Sequence, residues 1–215
     1  MIFKLEEDLL LFPSPELAEE DGLLAVGGDL SIRRLMLAYS HGIFPWYSEE
    51  TPILWYSPHQ RFVIFPEKVK ISKSMRKVLI SGQYRVTENQ SFAEVIKSCA
   101  AIERKDQDGT WIISEMQEAY IGLHKQGFAH SIEIWDDNEL VGGLYGVQTG
   151  NIFCGESMFS KAANASKVAL IWLCQNKNYT LIDCQFHTEH LKSMGAEFIS
   201  RDAYMNLLSA SSVNP

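Results

Sequence analysis

The sequence predicts an α/β (α+β) protein: a small N-terminal domain over residues 1–60, then a domain over residues 61–215 with a mixed β-sheet flanked by helices. Three observations predict it. From Ala129 the apolar period falls to two, with Ser131, Glu133 and Trp135 alternating with Ile132 and Ile134, the pattern of a strand. Helical stretches with start signals stand on both sides of that β-rich region, which is how helices come to cover both faces of one sheet. Before Arg61, by contrast, Gly42-Ile43-Phe44-Pro45-Trp46-Tyr47 and Ile53-Leu54-Trp55-Tyr56-Ser57-Pro58 crowd large rings among prolines and a glycine. Those breakers exclude a core helix, so the rings are held on turns and short strands.

In chain order, Ser31 caps a helix whose apolar positions Ile32, Leu35, Met36 and Tyr39 share one side and which Gly42 ends. Strand-like Ile53–Tyr56 and Phe62–Phe65 follow, with the domain boundary near Arg61. A basic helix from about Ser72 to Ile80 points Ile71, Met75, Val78 and Leu79 inward and Lys70, Lys73 and Lys77 outward. Tyr84–Val86 is a short strand. Ser91 with Glu94, and Ser114 with Gln117, read as capping boxes opening two helices, the second stopping at Gly127. Turns at Asp136-Asp137-Asn138 and Thr149-Gly150-Asn151 then fold the period-two region, Leu140–Val147 and Ile152–Phe159 into a three-stranded meander. Helix Ala165–Gln175, strand Thr180–Cys184, helix Glu189–Met194, strand Glu197–Ser200 and a helix from Arg201 complete the chain.

Composition sets the frame. The 215 residues are 46% hydrophobic and 21% charged, ordinary for a globular protein with a real core. Met1 to Phe12 carries Glu6, Glu7 and Asp8 within its apolar stretch and has no basic leader, and no apolar run approaches a bilayer's span. A soluble cytoplasmic protein is expected. Cys99, Cys154, Cys174 and Cys184 are widely spaced without a CxxC pair, which suits buried free thiols in a reducing compartment. The formal charge of −8 argues against general nucleic-acid affinity, yet between Arg61 and Arg85 the residues Arg61, Lys68, Lys70, Lys73, Arg76, Lys77 and Arg85 face only Glu67. Such a patch binds phosphates or is simply a solvated helix face.

Several motifs lose to bland readings. Gly155-Glu156-Ser157-Met158-Phe159 has Phe159 where a nucleophile elbow needs its second glycine, and it lies in a hairpin strand. Cys184, His187 and His190 have zinc-like spacing but no second ligand cluster, so they read as satisfied or surface side chains and no metal is expected. A Cys184–His187 nucleophile pair is weakened by how close the two lie in sequence. Asp183 and Gln185 stand two apart at the end of an apolar strand, which aims them at one face where an open sheet offers its ligand crevice; the alternative is a polar pair capping the strand. Glu156, on a neighbouring strand, adds a carboxylate there.

The C-terminal order β-α-α-β-β-β-α-β-α-β is that of the Gcn5-related N-acyltransferase fold. Those enzymes hold a coenzyme A pyrophosphate on a Q/R-x-x-G-x-G/A loop at a helix start. No such string occurs in this sequence, so the expected acyl donor is not an acyl-CoA.

Taken together, Gly22 to Ser31, Gly42 to Tyr47, Leu54 to Pro58, Gly109 to Ile112, His130 to Glu133, Leu140 to Gly146, Gly155 to Ser160, Ala165 to Lys167 and Leu181 to Gln185 closely resemble the leucyl/phenylalanyl-tRNA:protein transferase family. The likeness runs in order from about Phe12 to Arg201. It implies transfer of Leu or Phe, and also Met, from aminoacyl-tRNA to the α-amine of proteins beginning with Arg or Lys, which marks them for proteolysis. It also implies a Gcn5-related domain working without cofactor or metal, in a cytoplasmic enzyme, here taken as a monomer.

The resemblance assigns roles by position. Trp46 corresponds to the tryptophan that holds the 3′-terminal adenosine, with Tyr39 and Trp111 near the same end of the tRNA. Leu144, Phe153, Met158, Leu170, Leu173 and Ile182 correspond to the walls of the aminoacyl side-chain pocket, whose neck opposes β-branched side chains. Other members carry Met at the Leu144 position and Phe at the Leu173 position; the first exchange nearly conserves volume, and the second is expected to widen the pocket. Gln185 would contact the attacking amine, with Asp183 polarising it and Glu156 nearby. Lys68, Lys70, Lys73, Arg76 and Lys77 would meet acceptor-stem phosphates without reading sequence. Two rival readings stay open: a related peptidyl transferase with another acceptor, and a tRNA-binding module without catalysis.

Overall fold

The computed structural model describes residues 1–102 and 112–211. Its N-terminal part is built on a four-stranded sheet of β1 (Phe3–Leu5), β2 (Leu23–Gly27), β3 (Phe44–Pro45) and β4 (Leu54–Tyr56), in the order β1-β2-β4-β3. Of these, only β4 was placed as a strand of its own from the sequence. Leu23-Leu24-Ala25-Val26 is apolar without alternation and lies between Gly22 and Gly27. A run so short carries no period by which strand and helix differ. Helix α1 (Ile32–Ser40) starts as expected, with Ser31 Oγ accepting from the Arg34 amide at 3.3 Å.

The second sheet has seven strands: β5 (Gln60–Ile64), β6 (Arg85–Glu88), β7 (Ala129–Asp136), β8 (Glu139–Thr149), β9 (Ile152–Ser160), β10 (Leu181–Asp183) and β11 (Glu197–Ser200). Their order is β11-β5-β10-β9-β8-β7-β6. The meander β7-β8-β9 forms as the turn signals require. β10 then joins β9 in parallel, while every other pairing in the sheet is antiparallel.

Helices cover both faces. Side chains of α1, α3 (Phe92–Ala101), α4 (Ser114–Lys125) and α7 (Arg201–Ser211) pack with Tyr145, Val147 and Cys154. Those of α2 (Lys73–Ser81), α5 (Ala165–Asn176) and α6 (Glu189–Ser193) pack with Leu144, Phe153 and Ile182. The first cluster also takes in Leu24 and Trp55 of the small sheet, so the apolar interior runs across the change of sheets between Tyr56 and Gln60. Among the described residues no helix is long and apolar enough to cross a membrane.

Two local expectations are corrected. Ser91 occupies the N-cap of α3, but its hydroxyl makes no cap bond. Its amide instead donates to Glu133 Oε1 at 3.4 Å. Helix α4 begins at Ser114 itself, with Ile113 as N-cap, and Gln117 Nε2 turns to the Ile112 carbonyl at 3.0 Å. At α3 a carboxylate from β7 takes the amide that a capping box would use, and at α4 the helix starts one residue earlier than the box requires. The polar members of β7 are buried too, because both faces of the sheet are covered: Glu133 accepts from Ser131 Oγ at 2.6 Å and Thr87 Oγ1 at 2.5 Å.

Candidate active site

A cleft opens where two parallel strands part. β9 and β10 stay in register as far as Cys154 opposite Asp183. Beyond that point the chain leaves β9 but remains tied to β5, with Cys184 N donating to Phe62 O at 2.8 Å and Phe62 N to Gln185 O at 3.4 Å. The divergence leaves a cavity of about 370 Å³, within the range of small-ligand sites. Leu144, Phe153, Met158, Leu170, Leu173 and Ile182 all line it, with Phe44, Pro45, Trp46 and Phe186 from the aromatic side and Glu156 and Gln185 between.

A β-bulge aims Glu156. Tyr145 lies opposite Ser157 and Gly146 opposite Gly155, so Glu156 is the extra residue on β9, and bulges of this kind re-aim a side chain. Gly146 is required there, since a Cβ would stand 2.2 Å from the Cys154 carbonyl oxygen. The carboxylate accepts from Tyr39 OH at 2.8 Å, Tyr120 OH at 3.2 Å and Gln185 Nε2 at 3.2 Å. The two tyrosine hydroxyls are 2.5 Å apart. Burial pushes the Glu156 carboxyl up to about 7, against the downward pull of the two tyrosine hydrogen bonds. Burial, then the Glu156 charge, raises Tyr39 and Tyr120 well above the usual phenol, so both remain donors.

Gln185 has φ 54, a left-handed conformation that costs a non-glycine residue about 1–3 kcal/mol unless its surroundings fix it. Asp183 Oδ1 accepts its amide at 2.9 Å. β10 ends at Asp183, so strand alternation is not what orients Gln185; the left-handed backbone is. Asp183 is fully buried and binds Arg61, whose Nε lies 3.1 Å from both carboxylate oxygens and whose Nη2 lies 2.6 Å from Oδ2. Arg61 therefore leaves the basic surface patch in which the sequence placed it: at 1% exposure its charge belongs to the interior.

The remaining expected residues divide clearly. Tyr39 is 1% exposed and meets the site through Glu156, not through the cleft wall. Trp46 is half-buried on the rim, with its ring centroid 4.8 Å from Phe186 and 5.8 Å from Tyr56. Trp111 lies outside the described residues. Lys70, Lys73, Arg76 and Lys77 are exposed around the start and outer face of α2. Exposed Lys68 is bound by Glu197 at 2.9 Å.

Sequence reasoning missed Tyr120, Arg61 as an interior group and Phe186, and it read His190 as a satisfied or surface side chain, which the structure corrects. Tyr120 sat at an ordinary apolar helix position, and only its partner across the fold gives it a role. His190 lines the cleft, and its Nε2 is buried with no hydrogen-bond partner among the described residues. Burial, then Lys167, lowers its pKa. Cys184 also faces the cleft, but burial raises its thiol well above the usual range, which suppresses thiolate chemistry.

An α/β sheet whose cleft joins an apolar pocket, an aromatic rim and a buried carboxyl beside an amide suits a group-transfer enzyme. Which one follows from its relatives. The chain belongs to the leucyl/phenylalanyl-tRNA protein transferase family: that family's model matches residues 63–209, and the model of its N-terminal domain matches residues 28–59. It is an aminoacyltransferase. A leucyl/phenylalanyl-tRNA–protein transferase of Syntrophobacter fumaroxidans is 54% identical over 96% of this chain and 89% of its own. One of Flavobacterium johnsoniae is 53% identical over 93% of this chain and 95% of its own. Among solved structures, a Gcn5-related N-acetyltransferase of Kribbella flavida aligns with a TM-score of 0.38 and 7% identity over 75% of this chain and 58% of that one.

Proposed function

We propose that this protein transfers Leu, Phe or Met from aminoacyl-tRNA to the N-terminal α-amine of proteins beginning with Arg or Lys, marking them for proteolysis. The observation that carries this reading is the shared cleft: an apolar side-chain pocket, a tryptophan on its rim, and the Glu156–Gln185 pair between them. The aminoacyl side chain enters the wall of Leu144, Phe153, Met158, Leu170, Leu173 and Ile182. Trp46 stacks on the terminal adenine. Tyr39 supports that end of the site through Glu156, and Trp111 completes the aromatic set.

The ester is already activated, so the reaction needs an amine held against the carbonyl, a place for its proton and support for the oxyanion. Gln185 positions the amine. A neutral amide is a poor base, whereas a carboxylate whose pKa is pushed up to about 7 suits proton removal near neutral pH. Glu156 takes that proton, Tyr39 and Tyr120 steady the carboxylate, and Asp183 holds Gln185 through its backbone amide. The amine nitrogen bonds to the ester carbonyl carbon, the bond from that carbon to the ribose oxygen breaks, and the departing oxygen takes up the proton that Glu156 removed, which restores the carboxylate.

Lys70, Lys73, Arg76 and Lys77 meet the acceptor-stem phosphates, with Lys68 contributing after release from Glu197. The net charge of −8 favours an acceptor with a cationic first residue. Residues 1–60 contribute Tyr39 and Trp46 to the site for the tRNA 3′ end and residues 61–215 form the catalytic part, in a cytoplasmic monomer. Radiolabelled Leu from Leu-tRNA is expected on a protein with N-terminal Arg and not on the same protein starting with Ala. Label on neither, with tRNA still bound, would favour another acceptor or a binding module.

A further inference from the structure

We propose that Arg61 is a positioning residue of the transfer reaction: it locks the aromatic segment 42–46 and the catalytic segment 183–185 into one arrangement, so that the donor held by Trp46 lies against the amine held by Gln185. This rests on the functional reading above. The two segments belong to different sheets, since β3 pairs with β4 whereas β10 lies between β5 and β9. One guanidinium joins them. Its Nη1 donates to the Gly42 carbonyl at 2.8 Å, while Nε and Nη2 grip Asp183.

The guanidinium carbon also lies 4.8 Å from the Phe44 ring centroid and 4.5 Å from that of Tyr204. Phe44 lines the cleft, so the packing that fixes the cation also fixes a wall of the site. On the other side, Asp183 Oδ1 holds the amide of Gln185 in its left-handed conformation. Gly42 has φ +67, a left-handed conformation that strains a residue with a side chain.

Stability does not account for such a pair, because buried ion pairs are often replaced by apolar residues at no loss. Geometry does. A planar fork spans two acceptors in different directions, which a lysine ammonium does not reproduce.

The test uses Arg61→Lys, which keeps the charge and loses the fork, and Tyr204→Leu, which leaves the ion pair intact and frees one guanidinium face. Two readouts are taken on folded protein: affinity for 3′-leucylamido-adenosine, a non-hydrolysable donor mimic, and single-turnover Leu transfer at saturating Leu-tRNA. Arg61→Lys is expected to weaken mimic binding at least fivefold and slow transfer at least tenfold. In its background Trp46→Ala should cost clearly less affinity than in the parent, since the ring is already misplaced. Tyr204→Leu should show both losses in smaller degree. Parent values in a folded Arg61→Lys, or a Trp46→Ala effect of undiminished size, would overturn the proposal. If Arg61→Lys fails to fold, Tyr204→Leu decides, and parent binding and rate there would overturn it equally. A parent protein that transfers no Leu would count against the functional reading, and Arg61 would still be judged by mimic binding.

Discussion

At Trp46 a single ring serves both packing and the proposed ligand. It rests against Tyr56 and Phe186 yet stays half-buried on the rim of the cleft, so the fold orients it without consuming its surface. A base stacked on such a ring is worth about 1–3 kcal/mol. Trp46→Ala is therefore expected to weaken the apparent affinity for Leu-tRNA by about tenfold or more with little loss of folding stability; titration of Leu-tRNA checks it, and an unchanged value would remove the stacking role. Glu156 is the opposite case, since its burial rather than its hydrogen-bond neighbours decides its chemistry. Three donors surround a carboxyl whose burial still raises its pKa to about 7. Desolvation outweighs hydrogen bonding there, which is the balance a general base near neutral pH requires.

Among the elements, α2 and the bulged β9 show how differently sequence exposes its meaning. The period of α2 is plain: Met75 is buried, whereas Lys73, Arg76 and Lys77 are exposed. Helices and the meander were legible because their periods and turn residues are local properties. The small sheet was not, since strands as short as Phe3–Leu5 and Phe44–Pro45 have no period to read. Likewise the pocket walls were placed through family likeness, while the bulge at Glu156, the partner of Arg61 and the role of Tyr120 arise from contacts between distant segments. Lys73 and Lys77 carry the phosphate proposal most directly, because Lys68 is occupied by Glu197. Changing both to Glu should weaken tRNA binding and flatten its salt dependence by roughly 1.4–1.8 units of log–log slope, about 0.7–0.9 for each lost phosphate contact. Binding measured from low to moderate salt checks this, and a slope equal to the parent's would place the helix outside the tRNA footprint.

For the whole molecule, two sheets share one interior and one cleft. The small sheet presents the aromatic rim, the large sheet opens at β9 and β10, and α1 and α4 bring Tyr39 and Tyr120 to the carboxyl between them. Chemistry is thus a property of the assembled chain. The most direct measurement is the single-turnover rate of Leu transfer to an Arg-starting protein as a function of pH, for the parent and for Glu156→Gln. Glu156 accepts a proton only when ionised, so below about pH 7 its protonation should add a fall of about tenfold per unit to the fall set by the acceptor amine. Above that, only the acceptor amine's own titration near 7.7–8.0 remains. Glu156→Gln should be slower by about 10²–10⁴ at pH 8 and should lose the limb near 7. A Glu156→Gln enzyme with the parent's rate and the parent's limb would contradict the account.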